Sequence, residues 1–358
     1  MARKPAGAVV GACMSFLLAL LPAPGGVAGE TNAAPPRVTG WEGRTMGTFY
    51  TVKIAGVIPD EPTLADLRAA VDQRLDEINR HMSHYQPASE LSRFNASTSL
   101  APFKVSAELA TVTRKALELN GQTGGAFDPT LGWLIDLWGF GPPGRNPRMP
   151  TDEEVAACRH KCGAGHLKVT ADDELQKDIP ELRLNLGGIA KGYGADEAAR
   201  VLRERGFTNI LVSVCGEIVA FGVNAEGQPW QVGVEKPILD TPRGAELVGI
   251  APISGRAFST SGDTHNFFTD TNGVVYPHIL DPATARPVHH SLATVTVIGP
   301  NGTTADGTAT ALFVMGPERG LRWVEKRPDL AALFVVRAGT NDFQLIPSKR
   351  FPPIRKPE

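Results

Sequence analysis

Four groups of residues in this 358-residue chain have types and spacings suited to chemistry. In Asp306-Gly-Thr-Ala-Thr310 a carboxylate and a hydroxyl stand four residues apart. On a helix that spacing puts both oxygens on one face, where they can bind one hard cation, with Mg2+ the natural candidate. The same residues also fit an Asp near a helix N-terminus followed by a Thr bonded back to the backbone. Gly187-Gly-Ile-Ala-Lys191-Gly-Tyr-Gly194 follows the apolar Leu182-Arg-Leu-Asn-Leu186 and leads into a helix. Bare backbone can approach a phosphate there, and Lys191 can add a point charge. The spacing matches neither GxGxxG nor the P-loop pattern, and a glycine cluster also serves as a turn or packing feature. Phe127-Asp-Pro-Thr130 and Leu137-Trp-Gly-Phe-Gly-Pro142 combine an acid, aromatics and tight turns. They suit either a pocket for a flat ring with polar edges or core packing. His278, in His278-Ile-Leu-Asp281-Pro-Ala-Thr284, is a candidate general base or phosphate ligand, or a structural His at a strand end.

The elements that must position these groups are legible from periodicity. Residues 45–54 read as one strand, and Asp60-Glu-Pro-Thr63 opens a helix running to about Met82. Within it Leu64, Leu67, Val71, Leu75, Ile78 and Met82 recur at three- and four-residue steps, which predicts one buried stripe. A second helix is expected over 106–121, and Thr151-Asp-Glu-Glu154 has the form of a capping box. Residues 190–205 read as a helix ended by Gly206, with a strand over 209–214. Further strands are expected at 230–234, 292–298 and 330–336, and helices at 305–315 and 318–326. This irregular interleaving predicts an α+β fold with mixed or antiparallel sheets flanked by helices. We read it as one bilobal domain with its lobe boundary near the 142–147 loop.

Composition bounds the rest. Hydrophobic residues make up 42% of the chain and charged residues 21%, a balance suited to a globular protein. A formal charge of −2 and the lack of a Lys/Arg-rich run exclude a nucleic-acid footprint. Arg3 and Lys4, then apolar residues, then small residues and prolines predict a signal peptide over 1–29 and an exported, periplasmic protein. Residues 30–40 then form a flexible leader, 41–346 the folded domain and 347–358 a Pro-rich tail. Lipidation at Cys13 is disfavoured because the strongest apolar residues follow it instead of preceding it. In an oxidising compartment a local Cys158–Cys162 disulfide is expected in preference to a zinc site over 158–166, and Cys215 is expected buried within an apolar strand.

Together these residues resemble the ApbE family, the FAD:protein FMN transferases. The resemblance is carried by Thr45-Met-Gly-Thr48, residues 82–95 with Tyr85, Gly125-Ala-Phe-Asp128-Pro-Thr130 and Leu137-Trp-Gly-Phe-Gly-Pro142. It continues through Gly187-Gly-Ile-Ala-Lys191-Gly-Tyr193, Gly216-Glu217, Thr260-Ser261-Gly-Asp263, residues 278–287, and Ala305-Asp306 to Thr310. The segments follow the family's order over about residues 45 to 315, and their joint occurrence is far more specific than any one of them. The resemblance implies that the backbone carbonyl of Gly188, Asp306 and Thr310 bind Mg2+. It implies that Met46 and Tyr85 border the isoalloxazine ring, that Asp128 and Glu217 hold polar edges of FAD, and that Gly187, Lys191 and Ser261 lie beside it. His278 is the implied catalytic position, with Asp306 acting through the metal. The implied reaction is attack by a Thr or Ser hydroxyl of an acceptor protein on the FMN phosphorus, with AMP leaving. Implied acceptors are envelope electron-transport proteins of the quinone-reductase or nitrous-oxide-respiration kind. An FAD pyrophosphatase giving FMN and AMP, and a non-catalytic FAD carrier, are the competing readings. Three departures stand out: Cys215 in place of a turn glycine, Ala285 in place of the glycine of Asp-Pro-x-Thr-Gly, and Pro277 before His278.

Overall fold

The computed structural model describes residues 37–142, 147–239, 241–242, 244–339 and 342–357. The expected signal peptide, Cys13, most of the leader and most of the 142–147 loop lie outside the described residues.

The chain enters through β1 (Val38–Thr45) and β2 (Thr48–Ala55), paired antiparallel with Thr45 opposite Thr48. The single strand expected over 45–54 is therefore interrupted at its start. Met46 and Gly47 form a two-residue turn with φ of 49° and 77°, the positive-φ geometry that matches strand twist. α1 (Glu61–Met82) begins where the Asp60 side chain accepts from Thr63 N, and it buries Leu67, Val71, Leu75, Ile78 and Met82, five of the six stripe residues. There follow α2 (Glu90–Ala96), β3 (Phe103–Lys104), α3 (Ala107–Thr123) and α4 (Gly132–Leu137). α5 (Asp152–Arg159) opens on the Thr151/Glu154 capping box as expected. β4 (Leu167–Val169) and β5 (Glu174–Lys177) join β3 in a small sheet. Next come α6 (Ala190–Glu204), β6 (Ile210–Val214), β7 (Glu217–Phe221), β8 (Trp230–Glu235) and β9 (Leu247–Ile253). β10 (Arg256–Gly262), β11 (Phe267–Thr269), β12 (Val275–Pro277), β13 (Leu280–Asp281), β14 (Arg286–Pro287) and β15 (Leu292–Gly299) lead to α7 (Gly302–Val324). β16 (Ala331–Arg337) and β17 (Phe343–Pro347) complete the elements.

Eight strands form one sheet in the order β1-β2-β6-β7-β10-β15-β16-β17, and every strand ladder among the described residues is antiparallel. The fold is α+β, with its sheets resolved as antiparallel. Alternate residues of the central strands serve two cores. Val295, Val297, Ala332 and Phe334 pack with the helices, whereas Ile298, Leu333 and Val335 pack with the β8–β9 ribbon and Phe351. Cover on both faces explains why β15 is buried at every position and reads as a continuous apolar run.

The helices expected at 305–315 and 318–326 are the two halves of α7, which kinks at Gly316 (φ 75°, ψ 175°) before Pro317. Pro317 has no N–H to give the carbonyl of Phe313, four residues back. His290 donates to that oxygen through Nε2 at 2.7 Å instead.

Cys158 and Cys162 are free thiols, which corrects the expected disulfide. The Cys162 thiol turns to the carbonyl of Cys158 (3.4 Å), and burial pushes it up to about 12. Among the described residues no group of three or more His, Cys, Asp and Glu side chains is arranged to hold a metal, and no helix is long and apolar enough to cross a membrane.

Candidate active site

The glycine-rich run divides by position. Gly187 and Gly188 precede α6, while Gly192 and Gly194 lie inside it, where glycine costs helix stability and needs a packing reason. At Gly192 the reason is α7: a Cβ there would lie 2.1 Å from the carbonyl oxygen of Gly302 and 2.7 Å from Cβ of Asp306. The two helices meet backbone to backbone. That approach lets Gly192 N donate to Asp306 Oδ2 (2.9 Å) while Lys191 Nζ reaches Oδ1 (3.2 Å).

Lys191 is shared. Its Nζ also lies 3.0 Å from Oε1 of Glu217, the first residue of β7. The side chains of Asp306 and Glu217 are 2% and 6% exposed, and that of Lys191 31%. Burial works against the ammonium charge, but Asp306 and Glu217 outweigh it and hold the Lys191 proton more tightly than usual. For Glu217 burial dominates and raises the carboxyl above the ordinary range, with Lys191 pulling it back. Glu217 Oε2 is buried without a hydrogen-bond partner. Such an oxygen costs about 1–3 kcal/mol, a penalty that a bound donor would remove.

One turn beyond Asp306, Thr310 Oγ1 lies 3.5 Å from the carbonyl oxygen of Gly188 and 3.4 Å from Ser261 Oγ on β10. A Cβ on Gly188 would approach Thr310 Oγ1 to 3.0 Å and the Phe127 ring to 3.3 Å, so only a bare α-carbon seats comfortably here. The carbonyl of Gly188, the hydroxyl of Thr310 and the carboxylate of Asp306 are all hard oxygen donors with one negative charge among them. This set suits Mg2+ that takes its remaining ligands from phosphate and water.

The remaining expected residues surround this cluster or stand on neighbouring elements. Met46 occupies the strained β1–β2 turn and points at α6, where a Cβ on Gly194 would lie 3.0 Å from its Cε. Tyr85 is 51% exposed and its ring centroid lies 4.1 Å from that of His84. His84 in turn borders Gly187. Asp128 Oδ1 accepts from Thr130 N (2.8 Å) and Thr130 Oγ1 (2.6 Å), so one of its oxygens organises its own loop. His278 follows β12, and both its backbone N–H and its Nδ1 lie 3.0 Å from the carbonyl oxygen of Asn266. A carbonyl only accepts, so Nδ1 carries the proton and the basic lone pair is on Nε2. Phe140 meets the His278 ring edge-on at 6.3 Å and belongs to an aromatic group with Trp138, Phe268 and Tyr276.

Two of the departures are non-glycine residues with positive φ. Cys215 and Gly216 make the β6–β7 turn with φ of 56° and 100°, so Cys215 is buried in a turn and not within a strand. Ala285 has φ 59°, and its carbonyl accepts from Trp138 Nε1 at 3.1 Å. Each is a left-handed position that glycine would occupy without strain. Sequence reasoning passed over Gly302 and Asp196, the latter of which binds the start of α7. The available signal was spacing: Asp196 is four residues beyond Gly192 and shares its helix face.

The site thus lies where two crossing helices of an antiparallel α+β scaffold gather a cation and hard oxygen donors at a glycine turn. The ApbE family model matches residues 46–334. The FAD:protein FMN transferase of Vibrio cholerae is 43% identical over 315 residues, covering 87% of this chain and 91% of that protein. The Escherichia coli K12 protein of the same name is 38% identical over 307 residues, covering 85% and 86%. Among solved structures, the flavin transferase ApbE from Vibrio cholerae superposes with a TM-score of 0.79 at 41% identity, covering 88% of this chain and 99% of that one. The apo flavinyl transferase ApbE of Pseudomonas stutzeri gives 0.78 at 35% identity, covering 89% and 97%. This chain belongs to the ApbE family.

Proposed function

We propose that this protein is an FAD:protein FMN transferase that moves the FMN half of FAD onto a Thr or Ser hydroxyl of an acceptor protein and releases AMP. The observation that carries this reading is the meeting of Lys191, Asp306, Thr310 and the Gly188 carbonyl at the start of α6. A flavin carrier would have no use for these groups at the phosphates. Asp306, Thr310 and the Gly188 carbonyl would hold Mg2+, which when bound offsets charge on the phosphate oxygens. Lys191 supplies a fixed positive charge beside the diphosphate. Glu217 offers its unpartnered Oε2 to a donor on FAD, Met46 and Tyr85 border the flavin, and Asp128 holds a polar edge. Gly187 precedes Gly188, and Ser261 lies beside the Thr310 hydroxyl.

The acceptor hydroxyl attacks the FMN phosphorus as the bond from that phosphorus to the AMP oxygen breaks. The hydroxyl proton passes to Nε2 of His278, whose tautomer is set by Asn266. The protein's principal contribution is alignment. We place it outside the cytoplasm, on the strength of the N-terminal charge and apolar pattern, acting on an acceptor of the envelope electron-transport type.

The test is to incubate the purified protein with FAD, Mg2+ and an acceptor fragment bearing an exposed Thr, then weigh the acceptor. An FMN adduct with AMP release supports the transferase, and its loss in His278→Ala supports the base. Free FMN and AMP over an unmodified acceptor would point to hydrolysis, and intact bound FAD to a carrier.

A further inference from the structure

Asp196 lies outside the cluster described above, yet it makes three hydrogen bonds to the helix that carries Asp306 and Thr310. From α6 its Oδ1 accepts from Gly302 N (2.6 Å), and its Oδ2 accepts from Thr303 N (2.8 Å) and Thr303 Oγ1 (2.7 Å). Gly302 and Thr303 are the first residues of α7, whose amide hydrogens have no partner within the helix. The N-cap residue of α7, Asn301, satisfies only the next one, at Thr304 N (2.8 Å). A cap from within a helix stabilises that helix, whereas a cap from a neighbour also fixes where the helix sits. Two carboxylate oxygens on two successive N–H groups define both the position and the rotation of α7 against α6. Beside this clamp the helices touch at Gly192 and Gly302, where a Cβ on Gly302 would lie 2.3 Å from Gly192 O and 3.1 Å from Asp196 Oδ1. Asp306 follows Gly302 by one turn, so a shift of the α7 start carries directly to Asp306 and Thr310.

We propose that Asp196 is a positioning residue for the transfer reaction: it sets Asp306 and Thr310 against Lys191 and the Gly188 carbonyl, and so sets the affinity for a divalent cation. This rests on the reading that those oxygens hold such a cation.

The experiment compares wild type, Asp196→Asn and Asn301→Ala. Direct Mn2+ binding in the presence of FAD is followed by electron paramagnetic resonance, FMN transfer is titrated with Mg2+, and thermal melts are recorded in parallel. In Asp196→Asn the Mn2+ dissociation constant and the Mg2+ midpoint should rise about tenfold or more, with the rate largely restored at saturating Mg2+. Asn301→Ala removes the internal cap and should lower the melting temperature while leaving Mn2+ affinity within about twofold. Should Asp196→Asn fail to fold, Thr303→Val, which removes only the hydroxyl bond, should weaken Mn2+ binding about two- to threefold. Unchanged Mn2+ affinity in the Asp196 and Thr303 variants, or an equal loss in Asn301→Ala, would overturn the inference. Wild-type protein that binds no Mn2+ with FAD present would overturn the metal reading itself, a distinguishable result.

Discussion

At Lys191 one ammonium holds two buried carboxylates together, and removing it should reveal their repulsion. Lys191→Met leaves Asp306 and Glu217 without their cation, and breaking such a pair costs about 3–5 kcal/mol. Glu217 already has a raised carboxyl, from burial first and Asp306 among the lesser causes, so it takes up a proton more readily once Lys191 is gone. The deficit should therefore shrink as pH falls from 8 to 5; thermal melts across that range check it, and a pH-independent deficit would refute it. Asp306→Ala removes the one charged oxygen from the proposed metal set. FMN transfer should fall by at least about a hundredfold, measured by acceptor mass, and undiminished transfer would sink the magnesium assignment. Spacing within a segment made Asp306 and Thr310 legible as a pair. The partnership of Lys191 with Glu217 joins residues 26 positions apart and came only with the fold.

Between elements, the decisive contact is the crossing of α6 and α7. Gly192→Ala would place a methyl 2.1 Å from the carbonyl of Gly302, a distance that backbone must yield to relieve. Destabilisation of about 1–3 kcal/mol is expected from such overpacking, together with a higher Mg2+ requirement for transfer. Urea unfolding and a Mg2+ titration of the variant measure both, and wild-type values would show that the crossing tolerates a side chain. The helices themselves were legible, because the stripe of α1, the capping box of α5 and the Gly206 stop of α6 are local signals. The β1–β2 turn was not, since Met46 at φ 49° defies the preference that would have marked it, and the short β3, β4 and β5 strands have too few residues to show a period.

Across the molecule, α1, α3 and α6 are tied by charge as well as by apolar contact. Arg74 of α1 pairs with Glu108 of α3 and Glu197 of α6, and Tyr193 donates to Glu108 at 2.5 Å. Burial raises the Glu108 carboxyl, but hydrogen bonds from Arg74 and Tyr193 outweigh it and lower it to about 2. A carboxylate depressed in the folded state contributes stability that is present above its unfolded value, about 4.3, and is lost as pH falls toward 2. Glu108→Gln should thus be less stable than wild type at pH 7, with the gap closing between about pH 4 and 2. Denaturant midpoints at several pH values test this, and a gap constant down to pH 2 would contradict it.

By itself the sequence determined the α+β class, the principal helices, the family and the short-range groups Asp306–Thr310 and Gly187–Lys191, because periodicity, caps and motif order are written in residues near one another. It also marked Ala285 as a departure from a family glycine, while its positive φ of 59° came only with the fold. Only the tertiary structure decided that the strands lie antiparallel in one eight-stranded sheet and that Gly192 is a contact and not a phosphate turn. The same holds for the Cys162 thiol, which faces a carbonyl, and for Asp196, which grips the start of α7. These outcomes depend on which surfaces meet when the helices close over the sheet, and on the few ångströms that backbone without side chains allows them.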